Sequence, residues 1–349
     1  MTGIPVSTGG LRILDPSPAG PWGEAVAIHP GATVFHSPEW AKVFQAAYGH
    51  RPFLVCGEDP DGAPFAVPVS IVSGPFGRTG LVSMPYSDFA GPLSAPGMGA
   101  VAAGTAAEAL GRAVEIRSEM DIAGTGKPSA FSTYRIDLPS DAGEMLQRLP
   151  KKSVRYAIGR AERDGVSVRR GDPGDAAAFH GMMGETRRRH GLPTPPLSFY
   201  RELFARMVEP GHGSLYMASG ADGTLIAASL FLWYGRRGYY KYSAGDRSRS
   251  AGNAAHLLLW HGVREAIQRG CSDFDLGRVS RGNRGLADMK IRWCGEEVPL
   301  YYVTVAPDGG IEPVDAREGL LMRAMRAVIP VMPAAVSRMV GSLVYRYFS

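Results

Sequence analysis

One pattern of residues occurs twice in this chain, and it limits the folds that the chain can adopt. Each copy predicts an amphipathic helix that begins at a serine N-cap and is followed by two strands joined through an Asp-Gly turn. The first copy begins at Ser37 and turns at Asp61-Gly62, and the second begins at Ser198 and turns at Asp222-Gly223. The serine and the aspartate are 24 positions apart in both copies, which indicates an internal duplication.

The second copy continues into a longer α/β pattern. Strand-like GYYKYSAG precedes helix-like AAHLLLWHGVREAIQRG, and strand-like DFDLGR and PLYYVTVAPDGG follow. This order predicts an α/β fold whose sheets have mixed strand directions. Because a chain of 349 residues suits two domains, we expect domains at residues 1–145 and 146–312, followed by an amphipathic helical tail at 313–349.

The composition is that of an ordinary globular protein. Hydrophobic residues make up 45% of the chain and charged residues 20%, and no uncharged apolar run approaches the ~18 residues that a membrane-spanning helix needs. The N-terminus has no apolar signal-peptide core. The three cysteines are far apart and have no metal-ligand spacing. We therefore expect a soluble cytoplasmic protein without a disulfide framework.

An excess of basic residues favours an anionic partner, since 38 Lys and Arg face 33 Asp and Glu for a net charge of +5. The strongest basic segment lies in residues 151–170. As a helix it places its apolar residues on one face and its cations on the other, so it is either an anion-binding surface or a solvated helix face. The tail contains two amphipathic stretches, which either pack on the body or contact a membrane peripherally.

Several common catalytic motifs are missing from the sequence. It contains neither GxSxG nor HExxH, and AGTGKPS departs from a phosphate-binding loop at Pro128, where Ser or Thr would bind magnesium. His256 and His261 are five positions apart, which does not place them on one helix face. We therefore expect no metal site, and we expect these histidines to pack within a helix or to face solvent.

A loop between a predicted strand and a predicted helix has the features of an anion site. Arg249, Gly252, Asn253 and Ala254 fit the R/Q-x-x-G-x-G/A pattern with which GNAT enzymes bind a cofactor pyrophosphate. Glycine lets the backbone approach an anion, and the free N–H groups at a helix start bind it. These residues are therefore candidates for binding the phosphates of an acyl donor.

A longer stretch resembles a known family of transferases. The runs KKSVRYAIGRAERDGV, ETRRRHGLPTPPLSFYREL, YYKYSAGD and FDLGRVSRGNRGLADMKIRWCGEEVPLYY are similar to the Fem-type aminoacyltransferases of the GNAT superfamily. The resemblance covers roughly residues 145–305, and the first half of the chain matches the degenerate N-terminal half of that family. It implies tandem GNAT-like domains with a substrate channel between them, and transfer of an amino acid from aminoacyl-tRNA to an amine.

Lys290 is the catalytic candidate that this resemblance supplies. The family segment G-L-x-x-F-K-x-G-x-G is met by Gly285–Cys294, with its lysine at Lys290. A fixed ammonium in that position is expected to stabilise the oxyanion of the attacked ester or a terminal phosphate, and the alternative for Lys290 is an exposed lysine at the end of a strand. The chain departs from the family at Met289, Arg292 and Cys294. It also lacks the coiled-coil arm of some members, which weakens the inference of a tRNA donor.

Two further candidates follow from the position of DFDLGR at the end of a strand, where open α/β sheets carry their sites. Arg278 is expected to bind a phosphate of the donor or the acceptor. The alternative role for Arg278 is to form an ion pair with Asp275. Asp275 is expected either to act as general base for the acceptor amine or to orient Arg278. A mechanism without a protein base also remains open.

Four residues are candidates for lining the substrate pocket. Asn283 and Arg284 lie in the loop SRGNRG, and an ordinary turn is the alternative for them. Tyr240 and Lys241 lie on the predicted strand that precedes the Arg249–Ala254 loop.

Three hypotheses about function follow. The first is an N-acyltransferase that moves an aminoacyl group from aminoacyl-tRNA to an amine of a cell-wall precursor, a polysaccharide or a natural-product intermediate. The second is a GNAT enzyme that uses acyl-CoA or an acyl carrier as donor, and it rests on the Arg249–Ala254 loop. The third is a non-catalytic GNAT scaffold that binds RNA or glycan precursors. None of them requires a tightly bound cofactor.

Overall fold

The computed structural model describes residues 10–16, 20–74, 79–246, 251–314 and 320–347, with side chains in the last range from 322 onward. The helices are α1 Pro21–Ala27, α2 Pro38–Tyr48, α3 Gly99–Leu110, α4 Ala142–Arg148, α5 Tyr156–Arg163, α6 Ala176–Arg189, α7 Leu197–Leu203, α8 Ala251–Gln268, α9 Arg284–Arg292, α10 Leu320–Val328 and α11 Ala334–Val344. The strands are β1 Arg12–Leu14, β2 Arg51–Glu58, β3 Pro64–Ser73, β4 Thr79–Val82, β5 Val114–Ser118, β6 Phe131–Asp137, β7 Ser167–Arg170, β8 Gly213–Ser219, β9 Leu225–Tyr234, β10 Arg237–Gly245, β11 Asp273–Asp275, β12 Val279–Ser280, β13 Glu296–Pro299, β14 Tyr301–Val305 and β15 Ile311–Pro313.

The strands form two mixed sheets. The first sheet has the order β1-β2-β3-β4-β5-β14-β15, and the second has the order β12-β6-β11-β10-β9-β8-β7, with β13 also paired to β6. Among the described strands, each sheet contains antiparallel neighbours and a parallel pair, which is β4 with β5 in the first sheet and β10 with β11 in the second. The predicted α/β fold with mixed sheet directions and a helical C-terminal tail is therefore confirmed.

The chain divides into two compact units that are interleaved in sequence. The first comprises the described residues of Met1–Ser132, Pro299–Arg317 and Arg346–Ser349, and the second those of Thr133–Val298 and Glu318–Tyr345. These limits differ from the predicted ranges 1–145, 146–312 and 313–349. The physical reason is strand pairing over long distances in sequence, since β14 pairs with β5 in the first sheet while β6 pairs with β11 in the second.

The first unit has a core between its sheet and α3. Alanines at four positions of α3 are fully buried, and they meet apolar side chains of β2, β3, β5 and β14. Small side chains let the helix lie close to the sheet. The helix ends at Leu110, where Gly111 adopts a left-handed C-cap. The strand β5 follows, and four of its five residues are buried.

The predicted helix and hairpin repeat is present in both units. The side chain of Ser37 accepts a hydrogen bond from the N–H of Trp40 and caps α2, as predicted. The hairpins β2–β3 and β8–β9 turn at Gly62 and Gly223, whose φ angles are +81° and +77°. Ser198 is not the cap of the second helix, because α7 begins one residue earlier with Pro196 as its N-cap.

The core of the second unit packs α8 against the sheet. Phe231 on β9 lies between Trp233 and Tyr240 in stacked ring contacts. Gly262 of α8 faces the Phe231 ring so closely that an added Cβ would lie 2.3 Å from it. This glycine therefore lets the longest helix of the described chain approach the central strands.

The basic segment forms a π-helical turn at Lys151–Arg155 and the helix α5. Its apolar residues Val154, Ala157, Ile158 and Ala161 are all buried, so the predicted division into an apolar and a cationic face is confirmed. Among the described residues, no helix is both long enough and apolar enough to span a membrane.

Candidate functional site

The turn after β11 is the centre of the candidate site. Asp275, the last residue of β11, is 1% exposed. Its Oδ1 atom accepts hydrogen bonds from Thr133 Oγ1 at 2.7 Å and from the N–H of Gly277 at 2.6 Å. Gly277 has a φ of +82°, in the left-handed region that favours glycine. The carboxylate therefore fixes a sharp turn at the end of the strand.

Lys290 holds the same turn from the other side. It lies on α9, it is 3% exposed, and its Nζ donates a hydrogen bond to the carbonyl oxygen of Gly277. The ammonium also lies 5.9 Å from the centre of the Tyr134 ring. The pKa of Tyr134 is raised by burial and by the nearby carboxylates of Glu297 and Asp288.

Asp275 and Lys290, the two residues predicted to be catalytic, are thus brought together around one peptide segment. Asp275 binds the N–H of Gly277 and Lys290 binds its C=O. The next residue, Arg278, is exposed. The two roles predicted for Asp275, general base and orientation of Arg278, both remain predictions.

Asn283 and Arg284 lie at the start of α9. The Asn283 side chain accepts a hydrogen bond from the N–H of Leu286 at 3.2 Å and is the helix N-cap. Arg284 is the first helical residue and is exposed. Asn283 therefore fixes the helix that carries Lys290, while Arg284 adds a cation to the exposed surface.

Tyr240 and Lys241 lie where the pairing of β10 changes. The parallel ladder between β10 and β11 ends at Tyr239 and Asp275, whereas the ladder with β9 continues to Gly245 with an irregularity between Tyr240 and Tyr242. Lys241 is the extra residue of this bulge, and bulges often lie beside functional sites. Its Nζ lies 5.6 Å from the centre of the Tyr242 ring.

The hydroxyl of Tyr240 points into the protein. Burial raises the pKa of Tyr240, and hydrogen bonds with Ser243 and Ser229 oppose the shift. Its ring stacks on Phe231 at 5.4 Å. Packing therefore accounts for this side chain, and Lys241 is the better candidate for substrate contact of the two.

The predicted phosphate loop is described only in part. Arg249 lies outside the described residues, whereas Gly252, Asn253 and Ala254 belong to the first turn of α8. The methyl group of Ala254 is fully buried in the core, so only its backbone can face a ligand. Gly252 is exposed, and an added Cβ there would meet nothing within 4 Å.

Asn253 lines an open groove of about 480 Å³ in the second unit. Arg160 of the basic helix lines the same groove, together with Asp164 and Asp222. The Arg160 guanidinium donates to Asp164 at 3.0 Å. The groove thus brings the basic segment and the helix start of the predicted phosphate loop to one place.

Sequence reasoning missed three residues that shape the site. Thr133 is 142 positions before Asp275, and no local pattern links the two. Gly277 was signalled by its place two residues after Asp275, a spacing typical of Asx turns. Trp293 is fully buried and donates from Nε1 to Nδ1 of His256 at 2.9 Å, which confirms the predicted packing role of that histidine.

The described residues contain no group of three or more His, Cys, Asp or Glu side chains that could hold a metal ion. Burial lowers the pKa of His256, with a further contribution from the charge of Arg292.

Comparison with known proteins finds a domain match within the second unit and a similar fold for most of the chain. Residues 150–288 match the family model of the Acetyltransferase (GNAT) domain. In structure, the chain is similar to FemX, with 14% identity and a TM-score of 0.62 over 80% of this chain and 94% of that one. No curated protein sequence matches the chain.

Two other solved structures have a similar fold. L-PGS from Bacillus licheniformis is 11% identical with a TM-score of 0.51, over 91% of this chain and 99% of that one. The C-terminal domain of a protein described as a lysylphosphatidylglycerol synthetase from Agrobacterium fabrum is 9% identical with a TM-score of 0.50, over 82% and 92% of the two chains. At such identities the likeness concerns the fold.

The family match identifies residues 150–288 as an acyltransferase domain of the GNAT type. The fold of the chain is similar to that of FemX, at low sequence identity. The resemblance inferred from the sequence and the predicted enzyme class are therefore confirmed.

Proposed function

We propose that this protein transfers an aminoacyl group from aminoacyl-tRNA to an amine acceptor. The observation that supports this most directly is the turn at Gly277, which Asp275 and Lys290 hold from both sides and which presents Arg278 at the end of a sheet strand. A phosphate of the donor or of the acceptor is the ligand that an exposed arginine on a fixed turn suits best.

The reaction needs few protein groups. The neutral amine attacks the ester carbonyl carbon, negative charge builds on the carbonyl oxygen, and the ribose hydroxyl leaves with a proton that comes from the amine. Positive potential from Lys290 and Arg278 stabilises the charge on the oxygen. We assign Asp275 and Lys290 as positioning residues that act through Gly277, with Lys241 and Arg284 as substrate contacts.

The proposal also includes the chemical class of the acceptor. An amine of a cell-wall precursor, a polysaccharide or a natural-product intermediate fits the acyltransferase class, and a tRNA donor places the reaction in the cytoplasm. The donor and the acceptor bind transiently as co-substrates.

One assay tests the donor and the chemistry together. A pool of tRNA charged with radiolabelled amino acids is incubated with the protein and a set of amines, and mild base then hydrolyses the remaining esters but spares amide products. We expect base-stable label that ribonuclease treatment of the donor abolishes. If the folded enzyme forms no base-stable label with charged tRNA, the tRNA donor is rejected.

A matched pair of variants tests the site. Arg278→Ala should lower kcat/KM about ten- to hundredfold, because a hydrogen bond to a charged group contributes about 1.5–3 kcal/mol. Arg264→Ala removes an exposed arginine of α8 and should leave kcat/KM unchanged. Equal activities of the two variants would reject the role of Arg278.

A CoA thioester is the second candidate donor, and the groove at Asn253 favours it. Arg160 and the first turn of α8 meet there, which suits a pyrophosphate. Labelled acetyl-CoA would then give base-stable product that ribonuclease does not affect and that Arg160→Ala reduces. If neither donor gives a product, the hypothesis of a non-catalytic scaffold is favoured.

A further inference from the structure

The C-terminal helices α10 and α11 carry large apolar side chains on their outer surface. Met339 and Leu343 on α11 are 59% and 65% exposed, and Val331, between the two helices, is 82% exposed. Val336 lies on the same side of α11, since it precedes Met339 and Leu343 at helical spacing. These four residues form what we call the tail patch.

Small residues occupy the inner face of the same helix. Ser337 and Gly341 are buried, and an added Cβ at Gly341 would lie 2.5 Å from the Thr194 carbonyl oxygen. The inner face thus achieves close backbone contact without large apolar groups. If α11 served only to pack on its own unit, Met339 and Leu343 would be expected inside, because burying such a side chain contributes about 1.5–3 kcal/mol.

The tail is held firmly in this orientation. Arg188 donates from Nη1 to the carbonyl oxygen of Pro330 at 3.0 Å, and the Arg187 guanidinium lies 5.2 Å from the centre of the Tyr345 ring. Met325 and Ile329 are buried beneath α10. The outward direction of the tail patch is therefore a property of the packed structure.

The charges of the tail have one sign. From Gly319 to Ser349 the sequence contains arginines at 323, 326, 338 and 346 and neither aspartate nor glutamate. Arg323 and Arg326 are exposed on α10. Exposed apolar side chains and exposed arginines on consecutive helices are typical of segments that lie in a membrane interface, with the arginines at the level of anionic headgroups.

We propose that the tail patch docks on the surface of an anionic lipid bilayer. Charge decides between this partner and a second copy of the chain. Two copies that met through this face would bring arginines of one sign together, whereas anionic headgroups complement them. The proposal is independent of the donor and the acceptor of the transfer reaction.

Flotation with vesicles tests the proposal on the full chain. We expect the protein to float with vesicles of equal parts phosphatidylcholine and phosphatidylglycerol, to float much less with phosphatidylcholine alone, and to be released by high salt. The double variant M339D/L343D should lower the partition coefficient about tenfold or more. Arg323→Gln and Arg326→Gln should each lower it about fivefold.

The control is Ile28→Asp, which changes an apolar residue of similar exposure, 61%, in the first unit. It should bind vesicles as the unchanged protein does. Thermal unfolding of each variant shows whether the fold is retained, and a single tail substitution, Leu343→Asp, replaces the double variant if that one unfolds. The proposal is overturned if the protein does not float with phosphatidylglycerol vesicles, or if folded tail variants float like the control. Concentration-dependent dimers that M339D/L343D abolishes, without vesicle binding, would assign the patch to a second copy.

Discussion

Lys290→Met removes one buried charge and leaves an unbranched side chain that is one heavy atom shorter. Lys290 is 3% exposed, and its ammonium donates to the Gly277 carbonyl oxygen. Methionine fills a similar volume with an unbranched chain, so the packing of α9 should change little. The substitution therefore isolates what the ammonium contributes to the turn.

Opposing contributions set the expected change in the free energy of unfolding. The loss of a hydrogen bond to a charged group costs about 1.5–3 kcal/mol and leaves a buried carbonyl without that donor. The loss of the contact with the Tyr134 ring at 5.9 Å costs about 0.5–1 kcal/mol. Relief of the desolvation of a buried ammonium opposes both. We expect a net destabilisation of about 2 kcal/mol.

Urea unfolding followed by tryptophan fluorescence measures this difference, with the free energy of unfolding obtained by linear extrapolation. Lys151→Met is the control, because Lys151 is exposed on the π-helical turn before α5, and it should stay within about 0.5 kcal/mol of the unchanged protein. If Lys290→Met is equally stable, Lys290 does not hold the Gly277 turn and our account of its positioning role is wrong.

Three other predictions concern stability. Glu265 is buried and accepts hydrogen bonds from two hydroxyls and two arginines. Because both arginines are partly exposed to solvent, Glu265→Ala should destabilise the protein by about 1.5–3 kcal/mol in urea unfolding, and an effect below about 0.5 kcal/mol would contradict this. Burial lowers the pKa of His36 from 6.5 to about 4, and the unfolded chain therefore takes up the proton first as pH falls. The contribution of neutral His36 to the free energy of unfolding is present above pH 6.5 and is lost as the pH falls towards 4. Over this window the free energy of unfolding should therefore fall by about 3 kcal/mol more in the unchanged protein than in His36→Gln. Equal decreases in the two proteins would show that His36 does not resist protonation. Cys294 has a φ of +61°, where L residues are strained by about 1–2 kcal/mol, so Cys294→Gly should raise the thermal midpoint relative to Cys294→Ala, and the reverse order would refute the strain.

Cys294 also shows how a departure from a family pattern acquires a physical meaning. Cysteine occupies this position, where the Fem-type segment G-L-x-x-F-K-x-G-x-G has its last glycine. The structure gives this residue a left-handed backbone, the conformation that favours glycine.

Features that depend on neighbouring residues were determined by the sequence alone. The cap at Ser37, the glycine turns at Gly62 and Gly223 and the buried face of α5 arise from contacts within a few positions, and they were predicted because helix periodicity and turn geometry act locally. The α/β class followed from the order of these elements.

Only the tertiary structure decided the composition of the two sheets and of the candidate site. The pairing of β14 with β5 and of Thr133 with Asp275 joins residues more than a hundred positions apart. Lys290 was recognised as a lysine of a family segment, but its burial and its bond to Gly277 depend on where α9 packs. Such contacts result from the balance of burial and hydrogen bonding over the whole chain, which no local pattern of residues encodes.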